Sequence, residues 1–148
     1  MVSACTGARA EFRQESYRNA VTVPVRFIKQ RPGGCGIAAL ATILDYYGLE
    51  YPDIDGIYMD GIDGTRVISI VNYAARFGTA HVKRMGMEQI VERLRGHVPL
   101  IVLRKRHFYV VKGFIPDNGM LLVNDGYREN MFLKPPVKDD LIIYLERG

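Results

Sequence analysis

The chain changes hydrophobic period near residue 98. Residues 98–103 form a continuous apolar run of strand length, and residues 107–114 are dense in β-branched and aromatic side chains, a composition that suits a pleated surface. Pro116-Asp117-Asn118-Gly119 is a turn signal, so residues 120–125 read as the returning strand of a hairpin. Residues 141–145 supply one more strand. Upstream, apolar side chains recur three and four apart. Residues 35–47 before Gly48, 66–77 before Gly78 and 87–95 before Gly96 are predicted helices, each with a glycine stop. Residues 23–28 alternate but contain Pro24, which predicts an edge strand or extended arm. Helices first and strands afterwards predict an α+β fold, with N-terminal helices packed on a C-terminal antiparallel sheet. A parallel sheet would need helix and strand to alternate.

A length of 148 residues fits one domain with a sizeable core. No internal repeat divides it. Residues 1–22 are polar and read as an exposed lead-in, with the folded domain at 23–148. The net charge is +4, with Lys and Arg spread along the chain. Nucleic-acid binding is not expected, because it would want a clustered basic stripe. Residues 49–64 carry Asp53, Asp55, Asp60 and Asp63 among glycines. They lack the roughly 12-residue ligand spacing and closing Glu of an EF-hand, so a solvated loop is the expectation and no metal is called for.

No apolar run approaches the about 18 residues needed to span a bilayer. Val2-Ser3-Ala4-Cys5 nevertheless resembles the lipobox at which bacterial lipoproteins are cut and lipidated on cysteine, without the basic and apolar signal segment that normally precedes it. Lipidation of Cys5 would attach the protein to a membrane at the cell envelope. The alternative is a plain N-terminal tail on a soluble protein.

Cys35 lies between Gly34 and Gly36, where a glycine turn becomes an Ala/Leu-rich helix. At a first helical turn the unpaired backbone N–H groups and the positive end of the helix dipole favour thiolate over thiol. Gly33, Gly34 and Gly36 let the backbone turn tightly and a substrate carbonyl approach closely. The competing reading is a buried cysteine packed under a helix. A disulfide from Cys5 to Cys35 would consume the thiol.

A nucleophilic cysteine needs a base and a group to orient it. His81 and His97 sit beside charged residues near the ends of predicted helices and read as surface groups. His107 opens an otherwise apolar strand, as either a satisfied core histidine or a catalytic one. Asp125 ends the partner strand of the same hairpin. An odd number of loop residues would put Asp125 opposite Tyr109 and diagonal to His107, about 7–8 Å away between backbones. A two-residue loop would turn it to the other face, leaving Asn124 as the substitute. Gln30, five residues before Cys35, could donate its amide to an oxyanion alongside the Cys35 N–H. Otherwise it is an ordinary loop residue.

The order Gln30, Cys35-Gly36, a helix ending Tyr46-Tyr47-Gly48, then His107-Phe108-Tyr109-Val110-Val111 and Asp125 resembles the bacteriocin-processing, double-glycine cysteine peptidase family. The resemblance covers residues 23–145. It implies a papain-like fold, with Cys35 as nucleophile, His107 as general base and acid, Asp125 as orienting residue and Gln30 as oxyanion-hole donor. It implies no cofactor, and a peptide or protein substrate cut after a glycine-rich motif. This chain has Asp125-Gly126 where the family often has Asp-Pro. Transporter-linked members place such a domain before membrane and ATP-binding domains not found in these residues, so the resemblance identifies neither the particular partner nor the particular peptide. Gly33-Gly34 is read as active-site backbone geometry instead of a self-cleavage signal. The competing readings are a non-proteolytic peptide-binding module of the same fold, or an acyltransferase or deamidase using the same side chains.

Overall fold

The computed structural model describes residues 19–60, 66–136 and 138–147. The lipobox and Cys5 lie outside the described residues. Strand β1 (Val21–Thr22) leads to helix α1 (Cys35–Tyr46), a 3-10 segment (Ile54–Asp60) and helix α2 (Val67–Ala74). Strand β2 (Thr79–Lys83), helix α3 (Met87–Arg95) and strands β3 (Leu100–Arg104), β4 (His107–Ile115), β5 (Met120–Asn124), β6 (Met131–Leu133) and β7 (Leu141–Glu146) follow. The strands form one antiparallel sheet in the order β2-β7-β3-β4-β5-β6, and β1 pairs with β4.

Alternation along the strands sends side chains to two cores. Ile101, Phe108, Val110, Ile143 and Leu145 face α1 and α2, while Leu100, Val102, Val111, Ile142 and Tyr144 face α3. Two-sided burial explains why residues 98–103 read as an unbroken apolar run. Every residue of α1 from Gly36 to Leu44 is buried, so this helix is apolar all round. Its one buried hydroxyl, Thr42 Oγ1, donates 2.7 Å to the Ala38 carbonyl. Gly48, at φ +69°, donates its N–H to the Asp45 carbonyl and ends the helix in the left-handed conformation that glycine tolerates.

The structure departs from the expected elements in three places. Residues 23–28 are not a strand; the pairing with β4 comes one step earlier, at Val21 and Thr22. Strand β2 was not expected, and His81 lies on it instead of near a helix end. Its Nε2 is 2.8 Å from Glu146 Oε1 and its ring stacks on Tyr144. Finally, β4 contains a bulge. Ile115 pairs with Met120 across four loop residues, but the register shifts by one between Val111 and Gly113.

Candidate active site

That bulge decides what the hairpin presents. Four loop residues alone would have turned Asp125 away from His107. The extra residue, Lys112, resets the register so that Val110 pairs with Asn124; one step further along, Asp125 falls opposite Tyr109 and diagonal to His107.

Cys35 is positioned by the preceding turn. Gly34 donates its N–H 2.7 Å to the Arg31 carbonyl, with Pro32 and Gly33 between them and Gly33 at φ +73°. Proline then a positive-φ glycine is the pattern of a type II turn. Gly34 then caps α1, and its carbonyl accepts the Ala38 N–H at 2.9 Å. Cys35, the first helical residue, is a half-buried free thiol.

The Cys35 thiol and the His107 imidazole lie close enough for each to shift the other's titration. Burial pushes the thiol up, but the His107 bond and charge and the Phe108 and Gly36 N–H groups outweigh it, holding Cys35 below an ordinary thiol. His107 moves the opposite way. The bond to Cys35 raises the imidazole, burial opposes it, and the carbonyl and charge of Asp125 add to the rise. His107 Nε2 is 2.6 Å from the Asp125 main-chain oxygen. A carbonyl can only accept, so Nε2 carries the proton and Nδ1 is the nitrogen left for Cys35.

The expected contact from the Asp125 carboxylate to the imidazole is not made. Asp125 Oδ1 accepts the N–H groups of Tyr127 (3.0 Å) and Arg128 (2.7 Å), and Oδ2 accepts from Arg128 Nη2 at 3.0 Å and Nε at 3.3 Å. An aspartate opening a tight turn bonds the backbone two and three residues on, and that local bonding captures the side chain. Asn124 makes no hydrogen bond to the imidazole. It lines a small internal cavity with Cys35, Thr42 and Phe108, with Oδ1 accepting the Asn130 N–H at 3.2 Å and Nδ2 buried without a partner.

Gln30 is buried against the same turn. Its N–H donates 2.7 Å to the Gly126 carbonyl, its Nε2 donates weakly to the Arg31 carbonyl at 3.3 Å, and Oε1 is buried without a partner. Beside Gln30 opens a mainly apolar pocket of about 370 Å³, lined by Ile28, Ile37, Ala38, Ala41, Tyr51 and Ile54 among others, with an Arg31–Asp55 ion pair at its edge.

Sequence reasoning missed Tyr109, whose ring meets the imidazole edge-on with centroids 4.5 Å apart. Its position two residues along the strand from His107 was the available signal. Gly126 and Arg128 were also missed. Among the described residues no group of three or more His, Cys, Asp and Glu side chains could hold a metal ion, and no helix is long and apolar enough to cross a membrane.

A model of the peptidase C39 family matches residues 26–134. The chain belongs to the peptidase C39 family. This is the double-glycine cysteine peptidase family that the sequence resembles, and the chain is accordingly a cysteine peptidase. Among solved structures it is similar to a double-glycine motif protease from an AMS/PCAT transporter, crystallised in complex with the leader peptide. That match has 22% identity and a TM-score of 0.64, and covers 87% of this chain and 96% of that one. It is also similar to UfSP from C. elegans, at 16% identity and TM-score 0.58, over 87% of this chain and 34% of that one. These likenesses establish the papain-like α+β fold. No curated protein sequence matches the chain.

Proposed function

We propose that the chain is a cysteine endopeptidase with Cys35 as nucleophile, His107 as general acid and base, Asp125 as orienting residue and Gln30 as oxyanion donor. The observation that carries this reading is the pairing of Cys35, at the start of a buried helix, with a His107 imidazole whose Nε2 lies 2.6 Å from the Asp125 carbonyl oxygen, the thiol being drawn down and the imidazole raised. The Cys35 thiolate attacks the scissile carbonyl carbon. The C=O electrons move onto oxygen, where the Cys35 N–H and the Gln30 amide donate to the oxyanion. Collapse breaks the C–N bond as His107 Nδ1–H protonates the leaving amine, leaving a thioester. His107 then takes a proton from water, the hydroxide adds to the thioester, and the acid product leaves as the thiolate–imidazolium pair reforms.

The substrate in this reading is a leader or exported peptide cut after a glycine-rich, double-glycine-like motif. Support comes from the leader peptide bound to the similar protease, and from the apolar pocket next to Gln30, which suits apolar side chains upstream of the cut. In the same reading Cys5 carries a lipid anchor, tested by the mass of the N-terminal peptide from native membranes.

The test is incubation with synthetic leader peptides ending in a double glycine, with products read by mass spectrometry. Cleavage after the second glycine by wild type and not by Cys35→Ala is expected. One observation favours a second reading, a peptide-binding module: the Asp125 carboxylate and the Gln30 amide nitrogen are both bonded elsewhere. Saturable binding of the same peptides without cleavage would support that module and contradict the peptidase.

A further inference from the structure

The 125–128 turn touches two parts of the site at once and closes on itself. Its first residue gives His107 a main-chain carbonyl at 2.6 Å, its second accepts the Gln30 N–H at 2.7 Å, and its fourth closes the turn, the Arg128 carbonyl accepting the Asp125 N–H at 3.0 Å. Two anchors hold it. Asp125 Oδ1 takes the two backbone N–H groups, and the Arg128 guanidinium takes Oδ2 through both Nε and Nη2.

We propose that Arg128 is a positioning residue for the peptidase reaction: by clamping the Asp125 carboxylate, it keeps that carboxylate off the imidazole and holds the carbonyl that receives the His107 Nε2–H. The inference rests on the peptidase reading. A main-chain carbonyl fixes the imidazole only as well as its turn is fixed, whereas a free carboxylate could swing between partners. The paired fork of Arg gives the turn one geometry, which a single-point donor does less well. The Arg128 side chain is 41% exposed, so its loss should loosen the turn without unfolding the protein.

The charged and titratable groups that act on His107 or on the neighbouring Tyr109 are Cys35 from α1, Asp125 and Arg128 from the turn and Arg104 from β3, the last engaged with Asp140. Of these, only Arg128 holds the Asp125 carboxylate through its side chain.

The experiment measures Cys35 alkylation by iodoacetamide across pH, with kcat and KM on a cleaved leader peptide, for wild type, His107→Ala, Arg128→Ala and Arg128→Lys. Circular dichroism checks each fold. Arg128→Ala should lose kcat by roughly 10- to 100-fold, as small misplacement of a catalytic group does, with KM unchanged. Its alkylation onset should move toward that of an ordinary thiol. Arg128→Lys, with a single donor nitrogen in place of the fork, should recover part of both. If Arg128→Ala fails to fold, Arg128→Gln, which can still donate to Oδ2, reads the same quantities. An alkylation profile and kcat equal to wild type in the folded Arg128 variants overturns the clamp, as does a gain in activity, which would mean that the freed carboxylate orients His107 better. If wild type and His107→Ala coincide instead, the peptidase reading itself falls.

Discussion

Gly126 packs directly on Gln30: a Cβ at position 126 would overlap Gln30 Oε1, and the backbone there, at φ +95°, is one that L-residues rarely adopt. Proline, held near a φ of about −65°, could not occupy it. A residue without a side chain at position 126 thus makes room for Gln30. Gly126→Ala should displace Gln30 and cut kcat toward the about 10²- to 10³-fold loss that removal of an oxyanion donor causes. Steady-state kinetics on a leader peptide checks this, and an unchanged kcat would mean that Gln30 takes no part.

The pH profile follows from the two opposed shifts. Cys35 is held below an ordinary thiol, so the thiolate should persist as pH falls below about 8.5 and be lost only through the lowered value. His107 is raised, so the imidazolium should persist above about 6.5 and be lost as pH rises through the raised value. Activity should be bell-shaped, with limbs belonging to the coupled pair. A kcat/KM that rises steadily with pH, following an ordinary thiol, would contradict the assignment.

The turn that delivers His107 is strained. Arg104 pairs with His107 across only Lys105 and Arg106, which sit at φ +48° and +66° without being glycine. Such turns favour Asn-Gly. Replacing the pair by Asn-Gly should stabilise the fold by about 1–2 kcal/mol, read by urea denaturation. A loss of stability would mean that the two basic side chains contribute more than the backbone strain removes.

Asp140 holds the segment between β6 and β7 to the end of β3. Its Oδ2 accepts from Arg104 Nη2 at 2.7 Å and Nε at 2.9 Å, and Arg104 also donates to the carbonyls of Lys134 and Pro135. The Asp140 side chain is 3% exposed and the Arg104 side chain 13%. Asp140→Ala should destabilise by about 3–5 kcal/mol, because it strands a buried charge. A change under about 1 kcal/mol, as for a surface pair, would show that water replaces the carboxylate.

Helices α1 and α3 and strands β3, β4, β5 and β7 were legible because each buries a regular apolar pattern. Strand β2 was not: Thr79-Ala80-His81-Val82-Lys83 is an edge strand that buries no residue fully, so burial imposed no alternation on it. The three residues of β6 are too few to show a period. Cys35, His107 and Asp125 were candidates by residue type and position, and Gln30 became one through the family resemblance. The contacts among them could not be read, because they depend on a bulge at Lys112 that no local preference announces. The capture of the Asp125 carboxylate is different. An aspartate opening Asp125-Gly126-Tyr127-Arg128 is an Asx-turn signal, and it could have been read.

The most direct test is the pH dependence of Cys35 alkylation in wild type and His107→Ala. Wild-type Cys35 should react well below pH ~8.5, and His107→Ala should lose this acid-side reactivity. Identical profiles rising only near the ordinary thiol range would contradict a thiolate–imidazolium pair, and with it the peptidase assignment of these residues.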